Sequence, residues 1–400
     1  MFRIAVVGRG LIGSAAARYL AEGTDGVVCI GPDEPKKRDS HSGVFASHYD
    51  EGRMTRHVDP RAEWGITASK SIARYRELDR RSGVTFYSPV GYLGLGVPGS
   101  QYNALCAAMG EQNGAAIQRL EVDQIKARYP YLSVADYADG LLETGGAGYI
   151  SPRRMVSAQT ILAQEAGAAC IKQAARAIRP TSRGVEIELW DGTTVEAERV
   201  LIAAGAFTAP LGLSPVDLGL TVYGRTVVLA QIEGDAAEIL KDMPTMIDTG
   251  IGAYILPPIK YPDGRSYLKI GVGDTSDPQF ADVAGLQDWF KGGGLQTNKS
   301  RFIARLKELI PVLETCPSWK TDTCAVTATK SGLPIIDTVV ADKIVVAVGG
   351  CGKGAKGADE WGRIAAGVVR GLPWSSEVER EKLAIPQSDV KVQLDDVQTA

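Results

Sequence analysis

The chain has 400 residues, and its 44 Lys and Arg against 47 Asp and Glu leave a formal net charge of −3. That length exceeds one ordinary domain and fits two or three, while the near balance of charge removes any general electrostatic pull toward nucleic acid or an anionic membrane. No apolar run reaches the ~18 residues of a membrane span, and Met1-Phe2-Arg3 leads straight into strand-like Ile4 to Val7 without the pattern of a secretory leader. The expectation is a soluble, cytoplasmic protein. Its six cysteines form no CxxC pair and it has only three histidines. That composition argues against a zinc site, or any metal, and for free thiols in a reducing compartment. The 46 glycines exceed the usual share of ~7%. A backbone laid against a large cofactor would account for them, and so would many tight turns.

Arg3 to Val7 is a short β-branched run that ends in Gly8-Arg9-Gly10-Leu11-Ile12-Gly13, followed by the helix formers of Ser14 to Glu22. A strand, GxGxxG and a helix in that order form the context that makes the motif a dinucleotide fingerprint. Gly8 makes the tight turn, Gly10 admits a pyrophosphate close to the backbone, and Gly13 lets helix and strand pack. The helix N-terminus adds free N–H groups and a partial positive charge. Gly8, Gly10, Leu11, Ile12 and Gly13 are thus candidate cofactor contacts. The second strand, Gly26 to Ile30, should end in an acid that holds the adenosine ribose, but Gly31 stands there. Asp33, in Pro32-Asp33-Glu34-Pro35, is the candidate substitute, with a backbone-held ribose as the alternative.

All three histidines fall between 41 and 57, in a segment containing Ser47-His48 and Arg53-Met-Thr-Arg56-His57; alone it reads as a polar surface loop. Further on, Ser151-Pro152 opens a helix over Arg153 to Ala166. Gly184 to Arg199 reads as two alternating strands around Asp191-Gly192, and Val200 to Ala204 as a buried parallel strand ending at Gly205. Leu220 to Tyr223, Thr226 to Ile232 and Ser266 to Gly271 are strand-like, and Ser300 to Ile310 is helical. Lys343 to Val348 then repeats the order of strand, glycine loop (Gly349 to Gly357) and helix (Ala358 to Val369).

Four stretches together carry a resemblance that spans Gly8 to about Gly371: the GxGxxG, the Ser-His-x-x-x-x-Arg-x-x-Arg-His segment, Ala-Ala-Gly-Ala-Phe at 203–207, and the last glycine loop. The chain resembles the glutathione-reductase-type flavoproteins of the D-amino-acid oxidase superfamily, and within it the monomeric sarcosine oxidase and N-methyltryptophan oxidase group. The resemblance implies an α/β (α+β) fold, an FAD-binding Rossmann domain with a second, mostly antiparallel-sheet substrate domain. It assigns 1–85, 140–215 and 325–385 to the first and 86–139 and 216–324 to the second, with 386–400 as a tail.

The same resemblance implies roles for particular residues. Arg53 lies by the flavin ring and Arg56 holds a substrate carboxylate, both jobs that suit a permanently charged planar fork; a surface ion pair is the plainer alternative. Ser47, His48, Ala204, Gly205, Gly352 and Gly354 help seat FAD. Lys356 matches the second carboxylate-binding position, with Lys353 close enough to exchange roles. Lys269 matches the lysine that favours electron transfer to O₂, because a cation steadies the superoxide formed in a dry cavity; an ordinary outward charge is the alternative. Tyr254 aligns with a pocket tyrosine. Cys324 falls where the group attaches flavin covalently, although a free cysteine is more commonly a small buried hydrophobe. Two departures stand out: Gly273 replaces an active-site histidine and Val326 an aromatic, so the expected substrate is larger than sarcosine or differently shaped.

The function implied is FAD-dependent oxidation of a C–N bond in an amine or N-alkylated amino acid to an imine, with O₂ taken to hydrogen peroxide, in a monomer or small homo-oligomer. Three rivals stay open: a flavin dehydrogenase or demethylase that passes electrons to a carrier protein, a nicotinamide dehydrogenase, and a non-catalytic flavin-binding subunit.

Overall fold

Three sheets organise residues 1–273 and 276–386, which the computed structural model describes. At the centre of the first, the strand Phe2–Val7 runs parallel to Val27–Ile30 on one side and Thr194–Ile202 on the other. Ala169–Ile171 extends the parallel set beyond Val27–Ile30, and Ile344–Val348 extends it beyond Thr194–Ile202. The set is buried on both faces because its strands are nearly continuous runs of Val, Ile and Ala. Ile4 and Val6 pack with Leu20, Trp361 and Ile364 on the helical side. Ala5 and Val7 pack with Ile187 and Ile202 on the other.

The hairpin around Asp191-Gly192 forms with Ile187 opposite Val195. Its second arm and the expected buried strand are one element, Thr194–Ile202. The helix expected at Ser151-Pro152 spans Pro152–Glu165, with the Ser151 side chain accepting from the Arg154 N–H, a hydrogen bond that satisfies one of the free amides of the first turn.

The second sheet has eight strands in the order Trp319–Ala328, Thr221–Ile232, Ser266–Gly271, Ala253–Lys260, Thr245–Asp248, Tyr92–Gly96, Asp139–Glu143, Ile117–Leu120. All its pairs are antiparallel except Thr245–Asp248 with Tyr92–Gly96. The expected strands 220–223 and 226–232 are one continuous strand. Two strands cross the expected domain edges. Asp139–Glu143, placed by sequence at the start of a Rossmann piece, is hydrogen-bonded into this sheet on both sides. Trp319–Ala328 stays laddered to Thr221–Ile232 through Ala328, past the expected edge at 325. A small third sheet joins Arg53–Thr55 and Tyr87–Ser88 to Gly148–Ile150. Of the expected tail, residues 387–400 lie outside the described residues. Among the described residues no helix is long and apolar enough to cross a membrane.

One buried carboxylate ties the helices of the first domain together. Asp359, in the first turn of Ala358–Arg370, accepts from Arg18 Nη2 and Gln159 Nε2 (each 2.8 Å), from Arg74 Nε (2.6 Å) and from Tyr19 OH (3.0 Å). Burial alone would raise its pKa, but Arg18 and Arg74 overcome that and hold it below the ordinary carboxylate value. Asp359→Ala removes the acceptor shared by Arg18, Arg74, Tyr19 and Gln159, leaving Arg18 with Glu22 and the Gln159 carbonyl, and is expected to cost about 3 kcal/mol, read as a fall in the urea midpoint. Because the native pKa is depressed, the wild-type advantage over Asp359→Asn is full above pH ~4 and shrinks as pH falls below it.

Candidate functional site

The parallel strands end at a common edge, and the loops that leave them enclose one cavity of about 1410 Å³, its open mouth included. Gly8, Gly10, Leu11, Ile12, Ser47, His48, Arg53, Ala204, Gly205, Cys324, Gly352 and Gly354 all line it. These twelve residues are drawn from five separate stretches of sequence.

The floor of the cavity is glycine by necessity. Gly8 has φ +112°, and a Cβ there would sit 2.2 Å from the Ala203 carbonyl oxygen; one at Gly13 would sit 1.8 Å from the Gly8 oxygen. Gly10, by contrast, faces open space toward the cavity, with His48 Nδ1 3.9 Å from where its Cβ would stand. It caps the helix Leu11–Ala21 without a side-chain hydrogen bond, so the first-turn amides point at whatever the cavity holds. His48 Nδ1 is buried with no partner. Burial, then the charges of Arg153, Arg9 and Arg53, push the imidazole down to about 3, which leaves it neutral. Backbone amides at a helix N-terminus, a glycine floor and an unspent imidazole nitrogen fit a dinucleotide cofactor such as FAD. These residues would hold its phosphates and ring polar groups, and Val44, Phe45, Phe207 and Leu213 supply apolar walls.

Asp33 departs from its expected ribose role. Its carboxylate is paired with Arg9 and with Lys172 Nζ (2.8 Å) and does not line the cavity. Lys269 and Tyr254 sit behind the Arg53 wall. Lys269 is fully buried on Ser266–Gly271, donating to Asp50 Oδ2 (2.5 Å) and to the Gly52 carbonyl (2.9 Å), with the Tyr254 ring 5.5 Å away. Asp50 also pairs with Arg53 and accepts from Tyr261 OH (2.9 Å). Burial, then Arg53, push the Lys269 ammonium below its ordinary value; the Asp50 carboxylate at its Nζ acts in the opposite direction. Arg53 is further fixed by donating to the Ser47 and Gly52 carbonyls. Cys324 is half-buried at mid-strand with an unpaired thiol.

Arg56 faces away from the cavity. Its Nε donates to the Val58 carbonyl (2.9 Å), Nη2 to Tyr102 OH (2.6 Å) and Nη1 to Met54 Sδ (2.7 Å). Lys356 pairs with Asp59, and Lys353 Nζ is 3.5 Å from the same carboxylate. None of these three cations lines the cavity. The positions of the two departures are also clear. A Cβ at Gly273 would meet Arg225 Nη2 at 3.1 Å, so a guanidinium stands beside the place of the missing histidine, and Val326 lines the cavity directly.

Sequence reasoning missed Asp50 and Asp59. The signal was there: Asp50, Arg53, Arg56 and Asp59 recur every third residue, each arginine flanked by a carboxylate.

The family of FAD dependent oxidoreductases known as DAO matches residues 3–367. The chain belongs to that family, as the motif resemblance implied. It is 26% identical over 218 residues to N-methyl-L-tryptophan oxidase of Escherichia coli (strain K12), a match covering 52% of this chain and 55% of that protein. It thus spans about half the length of the curated relatives it matches. Among solved structures, NikD, an unusual amino acid oxidase essential for nikkomycin biosynthesis, superposes with TM-score 0.74 at 19% identity over 98% of this chain and 99% of that one. Glycine oxidase from Geobacillus kaustophilus superposes with TM-score 0.72 at 21% identity over 96% and 98%. These two likenesses establish the shared fold, a parallel-core FAD sheet beside a mostly antiparallel one.

Gly8→Ala tests the cavity floor. The clash with Ala203 and the positive φ are expected to weaken FAD retention at least ~100-fold, read as the loss of 450 nm absorbance per protein while the far-ultraviolet circular dichroism stays near wild type.

Proposed function

We propose that this protein oxidises a C–N bond of an amine or N-alkylated amino acid to an imine, with O₂ as the final electron acceptor and hydrogen peroxide as the product. When bound, FAD supplies the redox chemistry, taking a hydride equivalent from the carbon beside nitrogen and returning two electrons to O₂. The chain supplies position and charge. Arg53, locked by three internal partners, presents a fixed positive edge to the cavity. Lys269 is the observation that carries the reading: a fully buried ammonium directly behind that wall, in a dry setting where a cation stabilises an anion as it forms. Tyr254 closes the same side, and Val326 on the cavity wall leaves room for a bulky amine. The imine is hydrolysed by water after release.

Lys269→Met tests the O₂ step. Reoxidation of the reduced enzyme by O₂ is expected to slow at least ~100-fold, while anaerobic reduction by amine stays within ~3-fold, both followed by stopped-flow absorbance. Equal slowing of the two half-reactions removes Lys269 from that role. A second reading is favoured by one observation. The Asp50 carboxylate offsets the Lys269 charge, an arrangement suited to a dehydrogenase that hands electrons to a carrier protein. Sluggish air reoxidation of the wild type, with rapid turnover on an artificial acceptor dye, decides for it.

We also propose that Cys324 bonds the flavin, since its unpaired thiol lines the cavity. Acid precipitation is expected to leave a yellow pellet for the wild type and a white pellet under a yellow supernatant for Cys324→Ala. A white wild-type pellet removes the attachment and leaves the flavoenzyme.

A further inference from the structure

We propose that Arg9 anchors the adenosine ribose of FAD, in the place where a dinucleotide-binding fold ordinarily keeps an acid. The inference concerns the cofactor and stands apart from the amine reading. In a unit of this kind the ribose hydroxyls meet a side chain at the end of the second strand. That strand is Val27–Ile30, and Gly31 follows it. A Cβ on Gly31 would stand 2.7 Å from the Arg9 Cβ and 2.8 Å from the Arg9 backbone nitrogen. No side chain fits at 31 while Arg9 lies across it, so the arginine and an acid there are mutually exclusive. Arg9, Gly31 and Pro32 all line the cavity.

The guanidinium is held at both tips. Nη1 donates to Cys170 Sγ (2.8 Å), on the strand Ala169–Ile171, and Nη2 donates to Asp33 Oδ1. The other Asp33 oxygen is taken by Lys172 Nζ (2.8 Å). The Arg9 side chain is only 10% exposed, and its Nε is buried with no partner. A buried donor left unsatisfied costs about 1–3 kcal/mol. A ribose hydroxyl oxygen is the acceptor that Nε lacks, and a hydrogen bond donated by a cation is stronger than one between neutral groups. The pyrophosphate has separate donors in the first-turn amides of Leu11–Ala21, which Gly10 leaves uncapped by any side chain. An acid in this place would accept from the hydroxyls, whereas Arg9 donates to their oxygens. Asp33 then acts through Arg9, as a positioning residue that fixes the fork.

The test uses the full chain carrying Cys324→Ala and stripped of flavin, so that cofactor exchanges whether or not the thiol bonds it. Fluorescence titrations give Kd for FAD and for an FAD analogue whose adenosine ribose lacks both the 2′ and 3′ hydroxyls. The parent is expected to bind FAD about 30-fold more tightly than the analogue. Arg9→Met should weaken FAD but not the analogue, bringing the two Kd values within ~3-fold of each other. Asp33→Asn, which keeps an acceptor for Nη2, should retain a preference of at least ~10-fold. Equal Kd values in the parent overturn the inference. Equal weakening of both flavins in Arg9→Met, with the preference kept, makes Arg9 a phosphate-binding or structural residue and also overturns it. Loss of the preference in Asp33→Asn but not in Arg9→Met returns the ribose to Asp33, a third overturning result. Should Arg9→Met fail to melt cooperatively, Arg9→Lys, which keeps a cation beside Asp33 and removes Nε, is read by the same two outcomes.

Discussion

The backbone of Gly8 lies against the carbonyl of Ala203 closer than any side chain would permit. That contact joins the ends of two adjacent parallel strands, Phe2–Val7 and Thr194–Ile202, at the point where the strand order reverses direction across the sheet. Loops leaving such a point diverge to opposite faces and open a crevice beyond the carboxyl ends of the strands. Residues 8–13, 203–207 and 349–355 are three such loops, and all three contribute to the cavity. The helix N-terminus at Leu11 is aimed into the crevice only because Gly13 packs on Gly8.

Charge is distributed around this cavity in an unusual way. Arg53 and Arg56 are three residues apart at a short extended strand, and an odd offset in extended chain sends side chains to opposite sides. One guanidinium therefore faces the cavity and the other the interior. Each has a carboxylate three residues away, Asp50 or Asp59, and each carboxylate also takes a buried lysine. Both lysines matched by the family resemblance thus have built-in counter-ions. Burying such pairs is seldom worth much to stability, which makes their effect on the chemistry next door the more useful explanation of their presence.

The frame was largely legible in the sequence because its signals are local. GxGxxG between a strand and a helix, Ser151-Pro152 at a helix start, and Asp191-Gly192 in a hairpin each specify backbone geometry within a few residues. The errors came from non-local pairing. Asp139–Glu143 joins the second sheet because Tyr92–Gly96 and Ile117–Leu120 flank it, and nothing in its own composition says so. The twelve cavity residues were found through motifs, whereas Asp33 was misplaced because its partners Arg9 and Lys172 lie far apart in the chain. Arg56 and Lys356 were assigned by family position, and the carboxylate that occupies them is visible only once distances are known.

The cavity draws its walls from nearly the whole chain, from Val7 at one end to Ala355 at the other. No contiguous fragment contains the floor, the apolar walls and the Cys324 side together. During synthesis at ~5–20 residues per second, every residue from Val7 to Ala355 must therefore be made before a dinucleotide has the whole cavity to settle in. The strand Phe2–Val7 waits for Ile344–Val348 and the glycine loop behind it, which are made more than 330 residues later. Cofactor capture is thus an event of late assembly, and cellular FAD supply would govern how many completed chains are loaded rather than how readily the early segments fold.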